Sequence, residues 1–227
     1  MGEAGARGSI DQAVAERFQR IAGVPTMAFK AARFPAHRQG IEPETIQQMA
    51  ATPAQEGLIA LRNRALLLTL ASSGLRVEAC RLLQQEQLNY GTSHSSIEVR
   101  RHGEPHPRAI PLSQEAAGAI QAWLEARGLP SPYLFTRFEG RSNTHSRLSA
   151  HPISRVAVHT IIRQHGAAIG IPDLKPNDLR RFAGQRFAQQ DVHLAQSLLG
   201  YKNLATVYDT CFPDEIVIEP GITENLY

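Results

Sequence analysis

Of the 24 basic side chains in this 227-residue chain only Lys30, Lys175 and Lys202 are lysines, which leaves 21 arginines. A guanidinium is planar, stays ionised and can bridge two oxygens of one phosphate, so the bias fits a surface that handles phosphate. It fits a GC-rich coding sequence equally well. Two arginines stand where a fold can exploit them. Arg76 follows Gly74 at the start of an expected helix, where its guanidinium and the free backbone N–H groups of a first turn can face one anion. Taken alone, the same pattern also describes an arginine that closes a helix on solvent. Arg180 has the same standing near the start of a later helix, and its neighbour Arg181 points about 100° away, so it cannot do the same job.

These residues need elements to place them. Residues 1–40 are mixed in character: a short helical pattern (Ala13, Val14, Phe18, Ile21) precedes a basic stretch from Lys30 to Arg38, and the segment reads as a linker and the remnant of something upstream. From Glu42 the texture changes to strong helix, with Pro43 suited to a first helical position and Ile46, Met49 and Ala50 on one apolar face. Leu58 to Ala71 is apolar nearly all round at Ala65 to Leu70 and is expected to be the central buried helix, ending at Ser72-Ser73-Gly74. A new helix starts with Leu75-Arg76 and runs to about Leu83. Ser96 to Arg100 and Arg108 to Leu112 read as the strands of a small hairpin around a Gly103-Glu104-Pro105-His106-Pro107 turn. Ser113 should cap an amphipathic helix carrying Ile120, Trp123 and Leu124, which stops at Gly128. Further helices are expected at about Ile153–Ile169, Asp178–Gln189 and Val192–Leu199.

The expected architecture is therefore mainly α with a small antiparallel β-sheet (α+β), divided as 1–40, a catalytic-domain-sized unit at 41–222, and 223–227, whose Glu224-Asn225-Leu226-Tyr227 looks like the start of a cleavable tag. A net charge of +3 and a pI near 9.1 do not by themselves decide for nucleic acid. No apolar run is long enough to cross a bilayer and the N-terminus lacks the apolar core of a signal peptide, so a cytoplasmic or nucleoid location is expected, with Cys80 and Cys211 as free thiols.

Read in order, five segments resemble the catalytic domain of the tyrosine-recombinase (phage-integrase) family over roughly residues 41–212. Leu61-Arg62-Asn63-Arg64-Ala65-Leu66-Leu67-Leu68 with Ser73-Gly74-Leu75-Arg76 is similar to the buried helix and Gly-Leu-Arg turn that place the first catalytic arginine. Arg108-Ala109-Ile110-Pro111-Leu112 resembles the family's strand pair, and Tyr133-Leu134-Phe135 the strand-like segment after it. Lys175-Pro176-Asn177-Asp178-Leu179-Arg180 resembles the His-x-x-Arg box, and Leu198-Leu199-Gly200-Tyr201 the Leu-Gly-His segment before the nucleophile. One such match is weak; five in order and spacing are strong.

The resemblance implies metal-independent cleavage and rejoining of DNA strands through a phosphotyrosyl intermediate, with no cofactor and no metal. Arg76 and Arg180 would hold the scissile phosphate, and Arg100, Arg101, Lys175, Arg181 and Lys202 would meet the DNA. It implies double-stranded DNA as partner and a homo-oligomer on DNA, a tetramer in the synapse, or a partner recombinase. No membrane partner is expected. Several positions depart from the pattern. The hairpin lacks the lysine that donates a proton to the leaving oxygen, and His102 is the substitute that can titrate near neutral pH, although a solvated turn histidine fits as well. The box histidine is Asn177, able to hydrogen-bond a phosphate but not to relay a proton, and the later His or Trp is Tyr201. The position at which the nucleophile usually falls is Thr210, so Tyr208 is the candidate, reached by a shortened turn. Two functions stay open: a site-specific recombinase, or a recombinase-derived DNA-binding accessory or regulatory protein that cuts nothing. The segment after Thr210, including Phe212 and the apolar Ile216-Val217-Ile218, is expected to leave its own domain and dock on a neighbouring protomer.

Overall fold

The computed structural model describes residues 41–52, 56–91, 94–100, 106–140 and 147–212. Of the residues singled out above, those of 1–40, Arg101, His102, Gly103-Glu104-Pro105, Ile216-Val217-Ile218 and Glu224 to Tyr227 lie outside that set; Phe212 lies within it and, instead of leaving its domain, packs against the domain's own core. The elements run α1 (Pro43–Ala51), α2 (Gly57–Ser73), α3 (Val77–Arg81), a short 3-10 turn (Gln85–Gln87), β1 (Leu88–Tyr90), β2 (Ser95–Val99), β3 (Arg108–Leu112) and α4 (Gln114–Arg127). They continue with β4 (Thr136–Glu139), β5 (Arg147–Pro152), α5 (Arg155–Ala168), α6 (Pro176–Gln190), α7 (Val192–Leu199) and α8 (Leu204–Cys211).

The core is built around α2, as its all-round apolarity requires. Ala65, Leu66, Leu67, Leu68 and Leu70 are all buried, and α4 and α6 both pack against the helix. One polar end survives inside: buried Arg62 donates to Asn63 Oδ1 and to the Thr136 carbonyl and lies over the Phe138 ring, while burial pushes its pKa down to about 10. The helix stops at Gly74 for a steric reason. Its φ is +63°, and a Cβ there would lie 2.6 Å from Leu199 Cδ2 and 3.0 Å from Ala183 Cβ, so α2 can turn this close to α6 and α7 only without a side chain.

The hairpin forms with Ile97 opposite Ile110, both buried, and with Ser113 Oγ capping α4 through the Ala116 amide at 3.2 Å. Two expectations need correction. One small sheet was expected, but the described residues form two: Leu88–Tyr90 joins the hairpin as a third strand, and β4 pairs with β5 in a separate antiparallel pair. Tyr133-Leu134-Phe135 is not itself a strand. Tyr133 makes an isolated bridge to Gln84, and the Trp123 indole and Arg127 guanidinium donate to the Tyr133 and Leu134 carbonyls, so side chains satisfy the polar groups of a buried segment before β4 begins at Thr136. No described helix is long and apolar enough to cross a membrane.

Candidate functional site

Arg180 lies on the second turn of α6, one face of which carries the buried Leu179, Phe182, Ala183 and Phe187 into the core. That placement carries the guanidinium inward to 6% exposure. It survives there because three different elements supply oxygens. Nη1 donates to the Gly74 carbonyl at 2.5 Å, Nη2 to the Leu199 carbonyl at 2.8 Å, and Nε to the Tyr201 hydroxyl at 3.3 Å, with the guanidinium carbon 4.8 Å from the Tyr201 ring centre. All three acceptors are neutral, so burial depresses its pKa below the usual arginine range; Tyr201 opposes that fall and the charge of Arg76 adds to it. Arg180 and Arg76 are thus close enough to repel, two residues beyond the Gly74 carbonyl that Arg180 grips.

Arg76 is exposed and is the N-cap of α3, which is shorter than expected, beginning two residues later at Val77 and ending at Arg81. Glu78 is turned away from it: Arg81 donates to both Glu78 oxygens and holds that carboxyl below its ordinary range. Asn177 and Lys175 are exposed at the start of α6, with the Lys175 amide donating to Asp178 Oδ2 at 2.9 Å. Lys202 is exposed in the turn after α7, and Arg100 is exposed at the end of β2. Arg181 is a partial correction. It does not face solvent freely but is half-buried, with a buried Nε and with charge reaching Cys211.

Tyr208 sits on α8, whose Val207 and Cys211 face the core. Its own ring is 49% exposed and tilts against Phe212 at 6.2 Å between centres. The helix is held to α6 by Gln185 Nε2, which donates to the Cys211 carbonyl at 2.8 Å, and by Gly184, whose missing Cβ leaves room for Cys211 Sγ. The structure therefore gathers Arg76, Arg180 and Tyr201, and sets Tyr208 on the next helix with its hydroxyl-bearing ring open to solvent. Both cysteines are free and buried. Among the described residues no group of three or more His, Cys, Asp or Glu side chains is gathered to hold a metal ion.

Sequence reasoning passed over four basic residues. Arg155, His159 and Arg163 are exposed and recur every fourth residue along α5, where they line a cleft with Lys175 and Asp173. The charge of Arg155 reaches Glu78 on α3, which puts this stripe beside the Arg76 end of the site. The four-residue spacing was the available signal. Arg108, at the start of β3, is the fourth: it donates to the Ser197 and Leu198 carbonyls at the end of α7, at 2.6 and 3.3 Å.

Arg180, bonded to the Gly74 carbonyl and the Tyr201 hydroxyl, and the exposed Arg76 two residues beyond Gly74 lie at one end of a mainly helical scaffold, an arrangement suited to an anion. The kind of domain follows from its relatives. The model of the phage integrase family matches residues 39–210, and the chain belongs to that family. It is 30% identical over 148 residues to the tyrosine recombinase XerA of Pyrococcus horikoshii, covering 64% of this chain and 48% of that protein. Against the tyrosine recombinase XerC of Haemophilus influenzae (strain PittEE) the figures are 30% over 186 residues, 80% and 59%. The chain thus spans about half the length of these curated relatives. The fold matches that of the XerH site-specific recombinase bound to palindromic difH substrate in a post-cleavage complex, with a TM-score of 0.62 at 16% identity, covering 78% of this chain and 50% of that one.

Proposed function

We propose that this chain is the catalytic portion of a site-specific DNA recombinase that cuts and rejoins strands through a phosphotyrosyl intermediate. The observation that carries the reading is the Arg76–Arg180 pair. Two guanidiniums that repel each other, one of them buried on neutral oxygens, are stabilised together by an anion between them. A phosphodiester has the charge and the oxygens for that place. The site takes the electrostatic load of a pentacoordinate phosphorane without a metal.

In this mechanism the Tyr208 hydroxyl gives its proton to solvent water as its oxygen attacks phosphorus, an O–P bond forms, and the bond to the 5′-oxygen breaks as that oxygen takes up a proton. His102 is the proposed proton donor. Arg180 stays oriented by Gly74, Leu199 and Tyr201, so its remaining N–H groups point to the phosphate without reorganisation. Asn177 contributes a neutral hydrogen bond. Away from the cut, the Arg155, His159 and Arg163 stripe with Lys175, Lys202, Arg100, Arg101 and Arg181 supplies backbone contacts along duplex DNA, and the synapse is a homo-oligomer or includes a partner recombinase.

The second reading, a recombinase-derived DNA-binding accessory protein, rests on Asn177 and Tyr201, neither of which passes a proton as a histidine does. One experiment separates the two. A nicked suicide duplex that traps the cut strand should give a covalent protein–DNA adduct on a denaturing gel, absent in Tyr208→Phe. DNA binding with no adduct on any duplex that the chain selects from a random pool supports the accessory protein.

A further inference from the structure

The last three carbonyls of α7 each accept from an arginine of another element. Arg180 of α6 takes Leu199, and Arg108 of β3 takes Ser197 and Leu198. The Ser197 carbonyl also accepts the Gly200 amide at 3.1 Å, and the Tyr201 amide closes on Gln196 at 3.0 Å, so the turn that releases the chain toward Tyr201 and α8 is bonded to the same oxygen that Arg108 grips. Gly200 has φ +68°, and a Cβ there would fall 2.7 Å from Arg108 Nη1, 3.0 Å from Nη2 and 3.2 Å from the guanidinium carbon. The arginine lies flat against a glycine that has room for nothing else. Its position also suits the helix end electrostatically, since a cation beside the last carbonyls opposes the negative end of the helix dipole.

We propose that Arg108 is a positioning residue for the strand-cleavage step: it clamps the hairpin onto the Gly200 turn and thereby fixes where Tyr201 meets Arg180 and where α8 presents Tyr208. Arg108 acts through that turn and touches no reacting atom. The inference rests on the recombinase reading for its kinetic consequence, but the clamp itself does not.

Two measurements on the whole chain test it. In Arg108→Ala, amide hydrogen exchange at Gly200 and Tyr201 rises at least tenfold, with the amides at the centre of α2 unchanged. Single-turnover adduct formation at saturating DNA slows about ten- to a hundredfold at unchanged final yield, because misplacement on the order of 1 Å costs rate before it costs affinity. Arg108→Lys recovers part of the rate, since an ammonium still reaches one carbonyl. Gly200→Ala is milder in the Arg108→Ala background than in wild type, the obstructing guanidinium being gone while the backbone strain persists. Should Arg108→Ala fail to fold, Arg108→Gln is measured in the same way. Unchanged exchange at Gly200 and Tyr201 overturns the clamp whether or not the protein cuts DNA. Faster exchange with a wild-type cleavage rate overturns its kinetic role. A parallel loss of yield, binding and melting temperature marks a merely structural arginine and also overturns it. Absence of any adduct in wild type refutes the recombinase reading instead, and the exchange measurement then decides the clamp alone.

Discussion

Replacing Arg180 with lysine keeps the charge and removes the fork, and the consequences divide into two measurable parts. The three acceptors, the Gly74 and Leu199 carbonyls and the Tyr201 hydroxyl, approach three different nitrogens of the guanidinium. An ammonium concentrates its donors at one point and serves one of those directions, so two bonds are lost. At about 1.5–3 kcal/mol for a hydrogen bond from a charged donor, the loss is roughly 3–6 kcal/mol, and water entering from the exposed Arg76 side holds it near the lower end. About 3 kcal/mol corresponds to a fall in melting temperature of roughly 6–12 °C for a domain of this size. The matched control is Arg76→Lys. Arg76 is exposed, so its replacement is expected to leave stability within about 0.5 kcal/mol. Both variants should slow covalent adduct formation by about 10²–10³, the usual cost of losing one preorganised donor to a developing oxyanion. Urea unfolding followed by circular dichroism reads the first part, and single-turnover cleavage the second. If Arg180→Lys unfolds at the wild-type urea midpoint, the three bonds do not hold this junction. If either variant cleaves at the wild-type rate, that arginine is no phosphate ligand.

Tyr208→Phe removes one oxygen from a ring that is already half exposed, so it should melt like wild type and form no adduct; peptide mapping of the wild-type adduct must then place the phosphate on Tyr208, and recovery on Tyr201 would move the nucleophile there. Gly74→Ala brings a methyl against Leu199 and Ala183 at a left-handed residue, and a loss of about 2–4 kcal/mol is expected by chemical denaturation; an unchanged midpoint would mean that α2 ends with more room than its neighbours allow. Arg155→Ala and Arg163→Ala should each flatten the plot of log affinity against log salt by about 0.9 for every phosphate no longer neutralised, and slopes equal to wild type would remove α5 from the DNA track.

The buried helix, the hairpin and the start of α4 were legible because each rests on a local signal: a run from Ala65 to Leu70 that is apolar except for Thr69, Ile97 paired with Ile110, and the serine cap Ser113. The β4–β5 pair was not, since Arg147 to Pro152 alternates weakly and the strand exists only against its partner. The same division holds at the site. Arg76 and Arg180 announce themselves through the turns that flank them. Arg108 does not, because its partners lie 89 and 90 residues away in sequence and are backbone carbonyls, which carry no residue identity to read. Likewise, the change of histidine to Tyr201 looked like a loss, whereas its hydroxyl supplies one of the three bonds that hold Arg180 and its ring lies beside the guanidinium.

The seat of α8 on Gly184 gives the tyrosine helix an unusual kind of adjustability. Any Cβ at that position would stand 2.6 Å from Cys211 Sγ and 2.9 Å from Leu199 Cδ1, against an ordinary separation of about 3.5–4 Å. A single methyl would therefore act as a shim on the order of 1 Å thick, lifting the whole of α8 and the ring it carries without altering any residue that meets DNA. Substitution on the blind side of the helix can in that way shift Tyr208, the proposed nucleophile, and sequence changes at 184, 199 and 211 should be read as one joint setting of its height, invisible to any inspection confined to the polar residues.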